Sequence, residues 1–90
     1  MELKTFVIYD IEDDKIRHRI SETCKDYGLE RIQHSAFLGK LNNNKREELF
    51  LKLSNIIKSN PGKLVIQPVC ERDFKDQKII INEKRRDKDS

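Results

Sequence analysis

Two cysteines, two prolines, three glycines and one methionine are all that this 90-residue chain has of those residues, and it has no tryptophan. Each scarcity excludes something. Cys24 and Cys70 are too few for the disulfide framework that staples small secreted domains. With no signal peptide behind Met1, both are expected to be reduced thiols, buried or half-buried. His18 and His34 stand at no zinc-binding spacing with each other or with the cysteines. Gly28, Gly39 and Gly62 are too scattered for a phosphate-cradling GxGxxG or P-loop, and no nucleophilic Ser/His/Asp or Cys/His set stands out. No stretch approaches the ~20 consecutive apolar residues of a spanning helix. A membrane protein is excluded on that count, and a cytoplasmic location is the expectation.

Charge is abundant. Nineteen basic and sixteen acidic residues make 39% of the chain, against roughly 25% in an average globular protein. Leu, Ile, Val and Phe still supply 26 of the 90 residues, above the range of disordered chains. The length leaves room for one domain. Such a chain buries only about 60–65% of its unfolded surface, so a homodimer is expected to supply further burial. The net charge of +3 is mild, and any affinity for nucleic acid must come from arrangement rather than total charge.

Phe6, Val7, Ile8 and Tyr9 form an apolar run that reads as an inner strand, with Asp10 at its end. Asp13 is placed to cap a helix whose apolar stripe is Ile16, Ile20, Cys24 and Tyr27, ended by Gly28. Leu29 to Leu41 reads as two short strands, or one strand bent near His34–Ser35. Asn42–Asn44 open a second helix with the stripe Leu49, Phe50, Leu53, Ile56 and Ile57, and Ser59-Asn60-Pro61-Gly62 stops it. Leu64 to Val69 is a strand, with Pro68 suggesting an edge. Residues 71–78 read as polar connector, Ile79–Ile81 as a short extra strand, and residues 83–90 as a charged, solvated tail. The domain is therefore expected over residues 1–82.

This order is the ferredoxin-like α+β plan, βαββαβ plus a short C-terminal strand, with an antiparallel sheet and two helices on one of its faces. The other sheet face is left without cover. A second copy can supply it, with Ile79–Ile81 adding to the partner's sheet edge.

Asp10, where an inner strand opens into a loop, has two readings. It caps the turn into the first helix, or it ligates a divalent cation. Magnesium takes one or two carboxylates, several waters and substrate phosphate, and a two-fold axis near Asp10 would supply the second carboxylate. Glu12, Asp13 and Asp14 suit the helix dipole, with an outer-shell role for Asp13 or Asp14 as the alternative. Arg17, Arg19 and Arg31 are either solvated arginines or a grip on nucleic acid. Arg17 and Arg19 lie roughly 200° apart on an ideal helix and so do not share one narrow groove. Ser35 and Phe37 would add a hydroxyl and a stacking ring for a single strand.

Two blocks, VIYDIEDDKIRHRI from Val7 and YGLERIQHSAFLGKL from Tyr27, carry a recognisable pattern: Tyr9, Asp10, Asp13, Asp14, Arg17 and Arg19, then Gly28, Leu29, Arg31, Gln33, Ser35, Phe37 and Gly39. Together they resemble the small CRISPR-associated proteins of the second universal Cas family, called CRISPR-associated endoribonucleases. The resemblance implies ferredoxin-like homodimers whose C-terminal strand packs on the partner's sheet. It implies that Asp10 is the catalytic residue and the ligand of Mg²⁺ or Mn²⁺, facing its mate across the dimer. It implies a metal-dependent endonuclease acting on single-stranded RNA or double-stranded DNA, with Arg17, Arg19, Arg31, Ser35 and Phe37 as nucleic-acid contacts. The CRISPR integrase is the implied partner in spacer acquisition. In the alternative reading the dimer is a structural DNA-binding bridge within that integrase complex, with no catalysis of its own.

Overall fold

Strand β1 (Leu3–Asp10) is an inner strand of a four-stranded sheet in the computed structural model, which describes residues 1–80. It is followed by α1 (Asp14–Asp26), β2 (Glu30–Gln33), β3 (Ala36–Leu41), α2 (Asn43–Ile57), β4 (Lys63–Val69) and a short α3 (Glu71–Lys75). The strand order is β2-β3-β1-β4 and every neighbouring pair is antiparallel. This is the ferredoxin-like plan expected from the sequence.

Local chemistry sets the element ends. The Asp13 carboxylate accepts the Ile16 backbone N–H at 3.0 Å and caps α1. At the other end Gly28 takes φ +81°. Its N–H donates to Lys25 O and that of Leu29 to Cys24 O, the paired bonds of a Schellman turn. Asn42 caps α2 by accepting the Lys45 N–H at 2.8 Å. His34 and Ser35 form the two-residue loop between β2 and β3, and the register slips by one residue between Arg31 and Gln33. Pro68 lies on β4, an edge strand, where its missing N–H costs no ladder bond on the outer side.

The period-two alternation of β1 splits the sheet into unequal faces. Thr5, Val7 and Tyr9 are buried on the helix side, in a core with Ile16, Ile20, Cys24, Leu29, Phe37, Leu49, Leu53 and Ile56. Lys4, Phe6, Ile8 and Asp10 point the other way. Their register partners on β4 are Val69, Gln67, Val65 and Lys63. Helix α3 covers one end of this second face: the Phe6 and Phe74 rings lie 6.3 Å apart, with Lys4 Nζ 4.7 Å from the Phe74 centroid. At the Asp10 end no described residue covers the face, and Ile8 and Val65 are each 48% exposed.

Three expectations need correction. Cys70, just after β4, is exposed rather than buried or half-buried. Residues 71–78 are not all connector, because Glu71–Lys75 form α3, capped when Cys70 Sγ accepts the Asp73 N–H at 3.5 Å. Ile79 and Ile80 belong to no strand in the single chain and are exposed. Ile81, the boundary after residue 82 and the charged tail 83–90 lie outside the described residues. Among those described, no helix is long and apolar enough to cross a membrane.

Candidate functional site

Asp10 stands at the end of β1, exposed and on the bare face, while its neighbour Tyr9 points into the core. Directly across the β1–β4 ladder is Lys63, also exposed. The corner before β4 is held close to Asp10 by a glycine. Gly62 has φ +137°, and a Cβ there would lie 2.7 Å from the Asp10 carbonyl oxygen and 2.6 Å from Ile11 Cδ1. Only a residue without a side chain allows this approach.

Among the described residues no three metal-ligating side chains gather. Asp13 is engaged by the Ile16 N–H and Asp14 by Arg17. Near the end of β1 one chain therefore offers Asp10, with exposed Glu12 two residues on, as carboxylates not engaged by these contacts. That suits magnesium, which keeps several waters and takes substrate phosphate, better than a metal needing a closed protein cage. A fuller donor set requires a second copy.

On the opposite side of the sheet, Tyr9, Asp14, Arg17, His18, Ser21, Arg31 and His34 line a shallow cleft of about 180 Å³. Arg31 is its most constrained member. Its guanidinium donates to the His34 carbonyl at 2.6 Å and to Ser21 Oγ at 2.7 Å, and its Cζ lies 4.9 Å from the centroid of the Phe37 ring. It thus ties the β2–β3 loop to α1 while further N–H donors remain for an anion. Arg17 donates to the Ile11 carbonyl at 3.3 Å and pairs with Asp14. Burial pushes the Tyr9 phenol above its ordinary value, and Arg31 pulls the other way. Burial likewise pushes the Cys24 thiol up to about 12, again against Arg31. These groups are neutral at pH 7, so the cleft's fixed charge is two arginines against one aspartate.

The proposed contacts are thus not gathered in one place. Arg17 and Arg31 share the cleft. Arg19 is exposed and does not line it, in keeping with the angle between the two helix positions. Ser35 is half-buried in the β2–β3 loop, and its carbonyl accepts the Tyr9 N–H at 3.0 Å. Phe37 has no exposed surface. It stacks on Tyr9 at 6.4 Å and seats Arg31, so no face of its ring is open to a base. By sequence alone His18 and His34 come into view only as metal ligands or catalytic partners, both set aside, and Ser21 and Lys63 do not come into view. His18 and Ser21 were readable, because Asp14, Arg17, His18 and Ser21 follow the i, i+3, i+4, i+7 spacing of one helix face. Lys63 had no local signal, since only long-range strand register sets it beside Asp10.

A family model described as "CRISPR associated protein Cas2" matches residues 3–77. The chain is 49% identical over 78 residues to the CRISPR-associated endoribonuclease Cas2 of Desulforudis audaxviator, covering 87% of this chain and 74% of that protein. To the protein of the same name from Korarchaeum cryptofilum it is 41% identical over 75 residues, covering 81% and 78%. A CRISPR-associated endonuclease Cas1/endonuclease Cas2 fusion from Thermoproteus tenax is 29% identical over 72 residues, which are 80% of this chain and 27% of the fusion. Among solved structures, a hypothetical protein from Thermus thermophilus superposes with a TM-score of 0.76 at 26% identity, covering 92% of this chain and 94% of that one.

Proposed function

The chain belongs to the Cas2 family of CRISPR-associated proteins, and from that premise we propose that it acts in CRISPR adaptation as a homodimer that binds nucleic acid beside the integrase, with a metal-dependent phosphodiesterase activity. The observation that carries this reading is the position of Asp10. It is an exposed carboxylate at the rim of an uncovered apolar sheet face, where a two-fold axis would bring a second carboxylate to it. Relatives named as endoribonucleases and a relative that joins Cas1 and Cas2 in one polypeptide support the activity and the partner.

In this reading the Asp10 carboxylates of the two protomers would together hold one Mg²⁺, with Mn²⁺ as a substitute. The ion, when bound, lowers the pKa of a ligated water and offsets charge on the scissile phosphate. Two carboxylates brought together repel, and a cation between them would offset that repulsion. Arg17 and Arg31 lie on the helix side of the sheet, away from Asp10. Their role is to position the strand through backbone phosphates flanking the cut rather than to stabilise the reacting group. Phe37 contributes by fixing Arg31, and Arg19 and Ser35 extend the contact surface. Single-stranded RNA and duplex DNA are the candidate substrates.

The same separation of faces favours a second reading, in which the arginine surface grips duplex DNA and the dimer bridges integrase units without cleaving. One experiment divides the two. Wild type and Asp10→Ala are compared on matched single-stranded RNA and duplex DNA with Mg²⁺, with dimerisation followed by sedimentation. The catalytic reading expects a loss of about a hundredfold or more in cleavage from a dimer that is still intact. Undiminished cleavage by a rigorously purified Asp10→Ala protein overturns it.

A further inference from the structure

Lys63 is the residue whose position the reading so far leaves without a task. It opens β4 and is the register partner of Asp10. Alternation along β4 sends Leu64 and Ile66 toward the core and leaves Lys63, Val65 and Gln67 on the bare face with Asp10. The corner that carries it lies close to Asp10: a Cβ added to Gly62 would stand 2.7 Å from the Asp10 carbonyl oxygen. Lys63 takes part in no ion pair among the described residues.

We propose that Lys63 is a substrate-contacting residue of the Asp10 site, its ammonium meeting a phosphodiester oxygen of the nucleic acid bound there. The proposal rests on the reading of Asp10 as the metal ligand and adds a group to it. A cross-strand Lys–Asp pair open to solvent contributes little by itself. A lysine beside a carboxylate also opposes a cation at that carboxylate. The conflict would disappear with an anion between them: a phosphodiester there would offset both a cation held by Asp10 and the ammonium of Lys63, accepting from the latter a charge-assisted bond of the stronger kind. The arrangement therefore makes metal and nucleic acid bind cooperatively. Lys63 weakens the ion in the empty site and favours the phosphate that brings it.

The test uses the full chain as wild type, Lys63→Met, Lys63→Arg and Asp10→Ala. Affinity for a labelled single-stranded RNA and for a labelled DNA duplex is measured in EDTA over a range of salt, and Mn²⁺ binding is followed by electron paramagnetic resonance without nucleic acid. Lys63→Met is expected to weaken one or both nucleic acids by roughly threefold to tenfold and to lower the salt slope by about one. The arm that responds identifies RNA or DNA as the source of the phosphate. Lys63→Arg should restore both quantities, while Mn²⁺ binding by Lys63→Met should be equal to or tighter than wild type. Unchanged affinity and salt slope for both nucleic acids overturns the proposal, and so does weaker Mn²⁺ binding by Lys63→Met. Mn²⁺ binding that survives Asp10→Ala instead overturns the metal reading, and the Lys63 titration separates that failure from this one.

Discussion

Cys24 has no exposed surface and lies on the α1 stripe against the sheet. Its thiol, ordinarily at 9.0, is pushed up to about 12 by burial. The unfolded chain releases this proton near the ordinary value and the fold retains it to the higher one. Within that window the unfolded state binds fewer protons, so stability falls as pH rises. It is intact below the ordinary value and declines by up to about 1.4 kcal/mol per pH unit above it. Tyr9 acts in the same direction, since burial raises its phenol too. Urea unfolding across this range should show a flatter pH dependence for Cys24→Ala than for wild type, with a lower midpoint at pH 7 from the lost packing. Parallel curves for the two proteins would show that Cys24 is not the source of the slope. Cys24 was readable as a buried thiol from the helix stripe. Phe37, expected as a stacking ring for a single strand, is buried instead, because an alternating strand does not say which of its faces the helices cover, and that is decided only when the sheet is assembled.

The α2–β4 connection couples an element boundary to the site. Gly28 and Gly62 both have positive φ, but a Cβ at Gly28 meets nothing within 4 Å, whereas one at Gly62 meets the backbone of Asp10 and Ile11. Gly28→Ala should therefore cost about 1 kcal/mol from backbone strain alone. Gly62→Ala should cost more and also move the corner. Amide resonances of Asp10 and Ile11 are expected to shift in Gly62→Ala and to stay in place in Gly28→Ala. Equal behaviour of the two variants would show that the Gly62 contact is not what seats Asp10. Both helices were legible because their caps are local: Asp13, Asn42 and Gly28 each act within one turn of the chain. Helix α3 was not, because Glu71–Lys75 is short and polar and its one anchor, Phe74, packs on Phe6 far back in the sequence. Lys63 escaped notice for the related reason that nothing between residues 10 and 63 announces their pairing.

At the scale of the molecule, the uncovered sheet face ties stability to association. A short chain buries a modest fraction of its surface, and here a layer of two helices lies on one side of the sheet while Ile8 and Val65 stay half-exposed on the other. Placing a charge there by Ile8→Glu should leave the far-UV circular dichroism of the monomer unchanged. It should raise the dimer dissociation constant by about a hundredfold or more, as read by sedimentation. A dimer of undiminished affinity would assign the interface to another surface. The ferredoxin-like plan and the need for a second copy were legible from element order and core size, whereas the division of Arg17 and Arg31 from Asp10 emerged only with the sheet's two sides in view. That division has a consequence for the length of β1. Because Tyr9 and Asp10 occupy adjacent positions with opposite directions, the arrangement depends on the number of residues in the strand as well as on their kind. One residue inserted or deleted between Val7 and Tyr9, with the pairing kept, would turn the carboxylate into the apolar interior and the phenol out to solvent. Strand length is thus itself a specification of the site.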